Sequence, residues 1–216
     1  MQISQFIVNP FYENTYLLWT GKGGEAIVID PGMIDERERQ AFDAFIADNG
    51  LRLNLVALTH QHVDHILSAQ YLAEKYGIDV AGCSRDNPLG QSLPEQALRF
   101  GLRCPTQPLA ITSHIDGGHA LTLGDDKIEV IAVPGHSAGG LAFYVPSLGA
   151  VLAGDSLFER SVGRTDLPGG DFDTLIRSIR SSLFALPDST VVYPGHGDPT
   201  TIGDERRLNP YLAQYC

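Results

Sequence analysis

One stretch, Thr59-His60-Gln61-His62-Val63-Asp64-His65, constrains this chain more than any other. Three imidazoles and a carboxylate follow directly on the apolar run Leu53 to Leu58, which reads as a buried strand. Imidazole and carboxylate are the borderline ligands that bind zinc, iron and manganese. In an extended segment His60 and His62 point the same way, because the side-chain period is two. Asp64 and His65 enter the following helix and point elsewhere, so one short segment can feed two metal ions. A His-rich surface loop is the plain alternative, and the position at a strand end argues against it. No single segment closes two coordination shells, so further ligands are expected at other strand ends.

Three residues meet that expectation: His136 in VPGHS (133–137), Asp155 in LAGDS (152–156) and His196 in YPGHG (193–197). Each follows a Gly, which lets the backbone approach a crowded site closely. Asp30, at the end of AIVID (26–30), is a candidate for fixing the tautomer of a ligating His. The competing reading of Asp30 is a turn at Pro31-Gly32.

Strands are expected at 3–8, 15–19, 25–30, 53–58, 78–83, 120–123, 127–133, 141–145, 150–153 and 190–193. Helices are expected at 34–48, 66–76, 86–100 and around 175–183, with a short tail helix from Arg207 onward. Residues 100–118 carry no readable pattern. Strands ending in Asp before a turn occur in both parts of the chain and hint at a duplicated β-rich half. Strand groups flanked by helices suggest layered sheets.

The balance of 15 Lys plus Arg against 26 Asp plus Glu gives −11, and no basic stripe is present, so nucleic acid is excluded as a partner. An electrostatic anchor on anionic lipid is disfavoured, and no apolar run reaches the ~18 residues that span a membrane. The first residues lack a basic region followed by an apolar core, so no signal peptide is expected. Cys83, Cys104 and Cys216 are few and odd in number, which favours a reducing, cytoplasmic location over a disulfide framework. No G-x-G-x-x-G or P-loop follows any strand.

HxHxDH, followed by a His, an Asp and a His after successive strands, resembles the metallo-β-lactamase superfamily over nearly the whole chain. The resemblance implies an α/β fold, an αββα sandwich of two mixed β-sheets flanked by helices, in a single domain over 1–216. It also implies two divalent metal ions, zinc first and iron or manganese as alternatives. By this likeness His60, His62 and His136 hold one ion, Asp64, His65 and His196 hold the other, and Asp155 bridges them.

GDSLFERSVGRTDLPGGD (154–171) and YPGHGDPTTIGDERRLNP (193–210) resemble glyoxalase II-like hydroxyacylglutathione hydrolases. The likeness is to the short bacterial type without a C-terminal helical domain. It implies cleavage of glutathione thioesters such as S-lactoylglutathione by a hydroxide shared between the metals, with Asp64 and Asp155 catalytic. In the longer enzymes a basic residue nine positions after the bridging Asp contacts glutathione, and Arg164 stands there as substrate-binding candidate. Asp166 replaces the aromatic residue usual two positions later. The expected partner is a small anionic thioester, and the expected state a monomer or weak homo-oligomer. The alternative is a persulfide dioxygenase of the same superfamily, with one iron at the positions of His60, His136 and Asp155; its usual YPAHDY is YPGHG here. An exported β-lactamase and a non-catalytic metal binder are further readings. Arg206 and Arg207 are expected to pair with Glu205 and Asp204, and His114 and His119 to be ordinary polar or turn residues.

Overall fold

The computed structural model describes residues 1–104 and 106–212, so Cys216 lies outside the described residues. The chain divides into two compact units, residues 1–115 with 123–125 and residues 116–122 with 126 onward. Each unit carries one six-stranded mixed sheet, matching the two β-rich halves read from the sequence.

In the first unit β1 (Gln2–Val8), β2 (Glu13–Trp19) and β3 (Glu25–Ile29) form an antiparallel meander. Parallel strands β4 (Arg52–Ala57), β5 (Asp79–Gly82) and β6 (Ser113–His114) extend it in that order. A parallel step needs a crossover, and α1 (Glu36–Asp48) supplies one between β3 and β4. Asp35 caps it by accepting from Glu38 N, and its apolar face buries Phe42 and Ile46. Pairing of Ile29 with Ala57 puts the exits of β3 and β4 side by side. Asp30 and Thr59 emerge there. The two-residue β6, inside the stretch without a readable pattern, is too short for any periodicity to show.

The helix expected over 66–76 is broken. It is α2 (Val63–Ile66) and α3 (Ala69–Tyr76), separated at Leu67 and Ser68. An unbroken helix would join Ser68 N–H to the Asp64 carbonyl. Here Ser68 N–H donates to Pro31 O at 2.9 Å, and Asn9 Nδ2 donates to Asp64 O at 2.9 Å. Both groups are already engaged. The helix expected over 86–100 is likewise α4 (Asn87–Gln91) and α5 (Leu93–Arg99). Pro94 has no N–H for the Gly90 carbonyl, which accepts from Leu109 N instead.

In the second unit the sheet order is β14 (Thr200–Thr201), β13 (Val191–Pro194), β10 (Ala150–Gly154), β9 (Leu141–Val145), β8 (Asp126–Ala132) and β7 (Ala120–Leu123). A small hairpin, β11 (Leu157–Phe158) with β12 (Ser161–Val162), stands apart from it. α6 (Phe172–Ser181) buries Leu175, Ile176 and Ile179, and Asp171 caps it through Thr174 N at 2.7 Å. α7 (Ile202–Leu208) starts before the expected tail helix; residues 213–216 lie outside the described part. No helix of the described residues is long and apolar enough to cross a membrane.

Glu205, on α7, is fully buried. Its partner is not Arg206. It accepts from Arg160 N at 2.8 Å, Thr200 Oγ1 at 2.7 Å, Asn209 Nδ2 at 2.9 Å and the Arg160 guanidinium. Arg160 takes the left-handed φ of 55° at the tip of the β11–β12 hairpin, and this carboxylate holds it there. Arg206 instead bonds Asp188 and the Phe184 carbonyl, while Arg207 pairs with Asp204 as expected. Glu205→Ala strands buried donors and should cost about 3 kcal/mol. Arg206→Ala, losing an exposed pair, should cost under about 1 kcal/mol. Urea denaturation of the two variants checks the contrast.

Candidate metal centre

In the first unit the strand exits converge as their residue types require. The chain bends at Thr59 after β4, and His62 is extended, at φ −73° and ψ 152°, immediately before α2. Asp64 and His65 sit in the first turn of α2, so the segment splits its ligand types as read from the sequence. The His60 ring centroid lies 4.8 Å from that of His62 and 4.2 Å from that of His65. His65 Nε2 is 3.8 Å from Asp64 Oδ2. His60 and His65 are buried, as are His62 and Asp30.

Asp30 is not simply a turn residue. It takes a left-handed φ of 52°, costly for a residue with a Cβ. Its Oδ1 accepts from Thr59 N at 2.7 Å. Its Oδ2 accepts from the Thr59 hydroxyl and lies 3.1 Å from His65 Nδ1. A carboxylate only accepts, so His65 carries its proton on Nδ1 and presents Nε2 as the ligand atom. The Thr59 proton is committed to Asp30. His60 Nδ1, 3.0 Å from Thr59 Oγ1, is therefore the donor of that pair, and Nε2 is again the ligand atom. Asp30, His60 and His65 also form a cluster with the spacing of a metal site. The donors already on Asp30 make it the group that orients these rings.

Glu13 was not among the residues singled out from the sequence. It is fully buried on β2, and its Oε1 is 3.7 Å from His65 Nδ1. The Thr15 hydroxyl lies 2.8 Å from both Glu13 Oε2 and the Asp30 carbonyl, and Gly32 N–H donates to it at 3.0 Å. One hydroxyl proton cannot serve two acceptors. The count closes when Glu13 is the neutral acid, donating to Thr15 while Thr15 donates to Asp30 O. Burial pushes the Glu13 carboxyl well above the ordinary carboxylate range, with His65 opposing in part. A side chain at Gly32 would overlap the Asp64 carbonyl and Glu13, so only glycine fits there. The available signal was polar Glu13-Asn14-Thr15 opening an otherwise apolar strand, but nothing local says that it faces His65.

In the second unit β10 and β13 run parallel, and Gly195 N donates to Gly154 O at 2.8 Å. That pairing sets Asp155 and His196 side by side at the strand exits. Asp155 Oδ2 is 3.6 Å from both His136 Nε2 and His196 Nε2. His136 Nδ1 lies 2.7 Å from the Arg164 carbonyl, an acceptor only, so this ring too presents Nε2. Gly163 lies so close to the Asp155 carbonyl and His136 that an added Cβ would collide. Phe158 tilts against His196, with ring centroids 6.4 Å apart.

This donor set fits a divalent metal. With bonds of about 2.0–2.1 Å in tetrahedral geometry, two ligand atoms of zinc sit about 3.3 Å apart. The 3.6 Å separations at Asp155 are close to that spacing. Arg164 is placed otherwise than a free anion binder. Its guanidinium grips Asp166 in a two-pronged pair. Exposed His114, on β6, accepts from Ser84 N at Nδ1, and exposed His119 pairs with the backbone of Asp116 beside a turn. Cys83 is buried and Cys104 half-buried.

The model of the metallo-β-lactamase superfamily matches residues 8–196, and the chain belongs to that superfamily. It is 39% identical to hydroxyacylglutathione hydrolase GloC of Haemophilus influenzae, over 98% of each chain. Among solved structures it is similar to the BLEG-1 B3 metallo-β-lactamase, at TM-score 0.87 and 31% identity over 98% of this chain and 99% of that one. It is also similar to TTHA1623 in a di-iron-bound form, at TM-score 0.84 and 39% identity over 97% and 100%. The fold is thus the expected α/β one, with two mixed sheets flanked by helices.

Two outcomes follow from the carboxylates behind the rings. Asp30→Asn should weaken metal binding by about 10–100-fold, as loss of an orienting partner does, with the fold retained; competition against a chelator measures it. Glu13 has a folded-state pKa raised above its ordinary 4.5, so the folded chain holds a proton that the unfolded chain releases. Its stabilising contribution is whole below about pH 4.5 and declines as pH rises toward the folded-state value. Glu13→Gln removes that decline. Urea denaturation in chelator, from pH 5 to 8, should show the variant gaining on the wild type as pH rises.

Proposed function

We propose that this chain is a metal-dependent hydrolase of glutathione thioesters such as S-lactoylglutathione, with its two units acting as one catalytic domain. The observation that carries the proposal is the common setting of His60, His65 and His136, each with Nδ1 engaged and Nε2 presented as a ligand. The likeness to GloC supports the thioester class. In this reading His60, His62 and His136 take one ion, Asp64, His65 and His196 the other, and Asp155 both. Zinc, iron and manganese suit these ligands, and the di-iron form of a similar protein favours testing iron beside zinc.

Two such ions, when bound, polarise a carbonyl and lower the pKa of a water to about 7. The remaining work falls to side chains. Asp30 and Thr59 hold the rings so that no reorganisation is needed during reaction. In this reading Asp64, partly open to solvent at the start of α2, carries the proton that hydrolysis releases. The departing thiol has a pKa of about 8.5, so its thiolate leaves without a dedicated acid. The substrate is a small anionic thioester, and the setting is the cytoplasm. β-Lactam cleavage is the second reading, favoured by the likeness to BLEG-1.

Metal-loaded wild type should cleave S-lactoylglutathione with two metal ions per chain. His62→Ala should lose at least about a hundredfold in kcat/KM, the scale of removing a group that stabilises the transition state. A panel of thioesters, lactams and persulfides, read together with metal analysis, decides between the readings. Wild-type thioester cleavage no faster than that of His62→Ala would sink the first.

A further inference from the structure

The Arg164 carbonyl is one hydrogen bond from the His136 ring, at 2.7 Å, so residue 164 is tied to the edge of the candidate centre. Its side chain is occupied by its own neighbour. Nε donates to Asp166 Oδ1 and Nη2 to Asp166 Oδ2, each at 2.7 Å. This is the parallel, two-bond geometry in which guanidinium recognises a carboxylate. Arg164 and Asp166 have side chains 55% and 68% exposed, and an exposed pair contributes little to stability. Its consequence lies in what it presents to a ligand. The pair carries no net charge, and two of the five guanidinium N–H groups are taken. A ligand carboxylate must compete with Asp166 for the fork and meets its negative charge. A ligand amide carbonyl needs only one of the remaining donors and carries no charge to be repelled.

We propose that Asp166 is a specificity-determining residue: by occupying Arg164 it lowers the preference for thioesters of carboxylate-bearing thiols relative to those of uncharged, amide-bearing thiols. The proposal rests on the thioester reading for its reaction and on the Arg164–Asp166 pair for its selectivity.

The test compares wild type, Asp166→Ala, Arg164→Ala and the double variant on two lactoyl thioesters, one of glutathione and one of N-acetylcysteamine. The ratio of kcat/KM, anionic over neutral, should rise about fivefold in Asp166→Ala, the order expected from one unit charge at about 4 Å in water. The rise should come through KM and shrink with added salt. It should vanish when Asp166→Ala is made on Arg164→Ala. An unchanged ratio, or an equal rise without Arg164, overturns the proposal. Calorimetric binding of S-hexylglutathione and S-hexyl-N-acetylcysteamine reads the same ratio without turnover. If the wild type cleaves neither thioester, the hydrolase reading fails alone, and the affinity ratio still decides the role of Asp166. Failure of every variant to bind either ligand overturns both.

Discussion

The Asp30 carboxylate is the contact on which the first unit's site depends. It is buried, and a buried carboxylate needs donors to replace its lost water. It receives the Thr59 N–H, the Thr59 hydroxyl and the His65 Nδ1–H. Those donors belong to the exit of β4 and the first turn of α2, while Asp30 itself ends β3. One side chain thus ties three elements at the place where the imidazoles emerge. The left-handed backbone at Asp30 follows: it turns the chain from β3 into Pro31-Gly32 while the carboxylate reaches back to Thr59.

The rings are oriented by partners of different strength. His65 faces a carboxylate, His60 a hydroxyl whose own proton is committed to that carboxylate, and His136 a neutral backbone carbonyl. A charged partner raises the basicity of a ligating imidazole more than a neutral one does. The sets built on His65 and on His136 therefore differ electronically although both present Nε2. The difference comes from what stands behind each ring, one bond further from any metal.

Much of this was legible in the sequence because it is local. Polar, metal-binding types directly after apolar strands mark His60, His62, Asp64, His65, His136, Asp155 and His196, and the strand pattern places their exits. Asp30 was legible as one of two options, a turn residue or the partner of an imidazole, and it stands 3.1 Å from His65 Nδ1. What stayed hidden depends on partners far along the chain. The break at Ser68 needs Asn9 and Pro31, and the pairing of Glu205 needs Arg160, 45 positions away. Glu13 looked like one more charge in an acidic chain. β14 and the β11–β12 hairpin have strands of two residues each, below the length at which alternation can be read.

The acidic balance acquires a different meaning once burial is known. A net charge of −11 treats every carboxylate as alike. Glu205, Asp30 and Glu13 are all buried, and donor supply separates them. Glu205 has four donors, one of them a guanidinium. Asp30 has three. Glu13 has only a hydroxyl that the Asp30 carbonyl also claims, and neutrality is the state in which every partner is served. A second buried anion beside Asp30 would repel it across His65, so a neutral Glu13 keeps the field at that ring set by Asp30 alone. The charge that matters to the candidate centre is thus fixed by hydrogen-bond supply in the core rather than by the count of acidic residues.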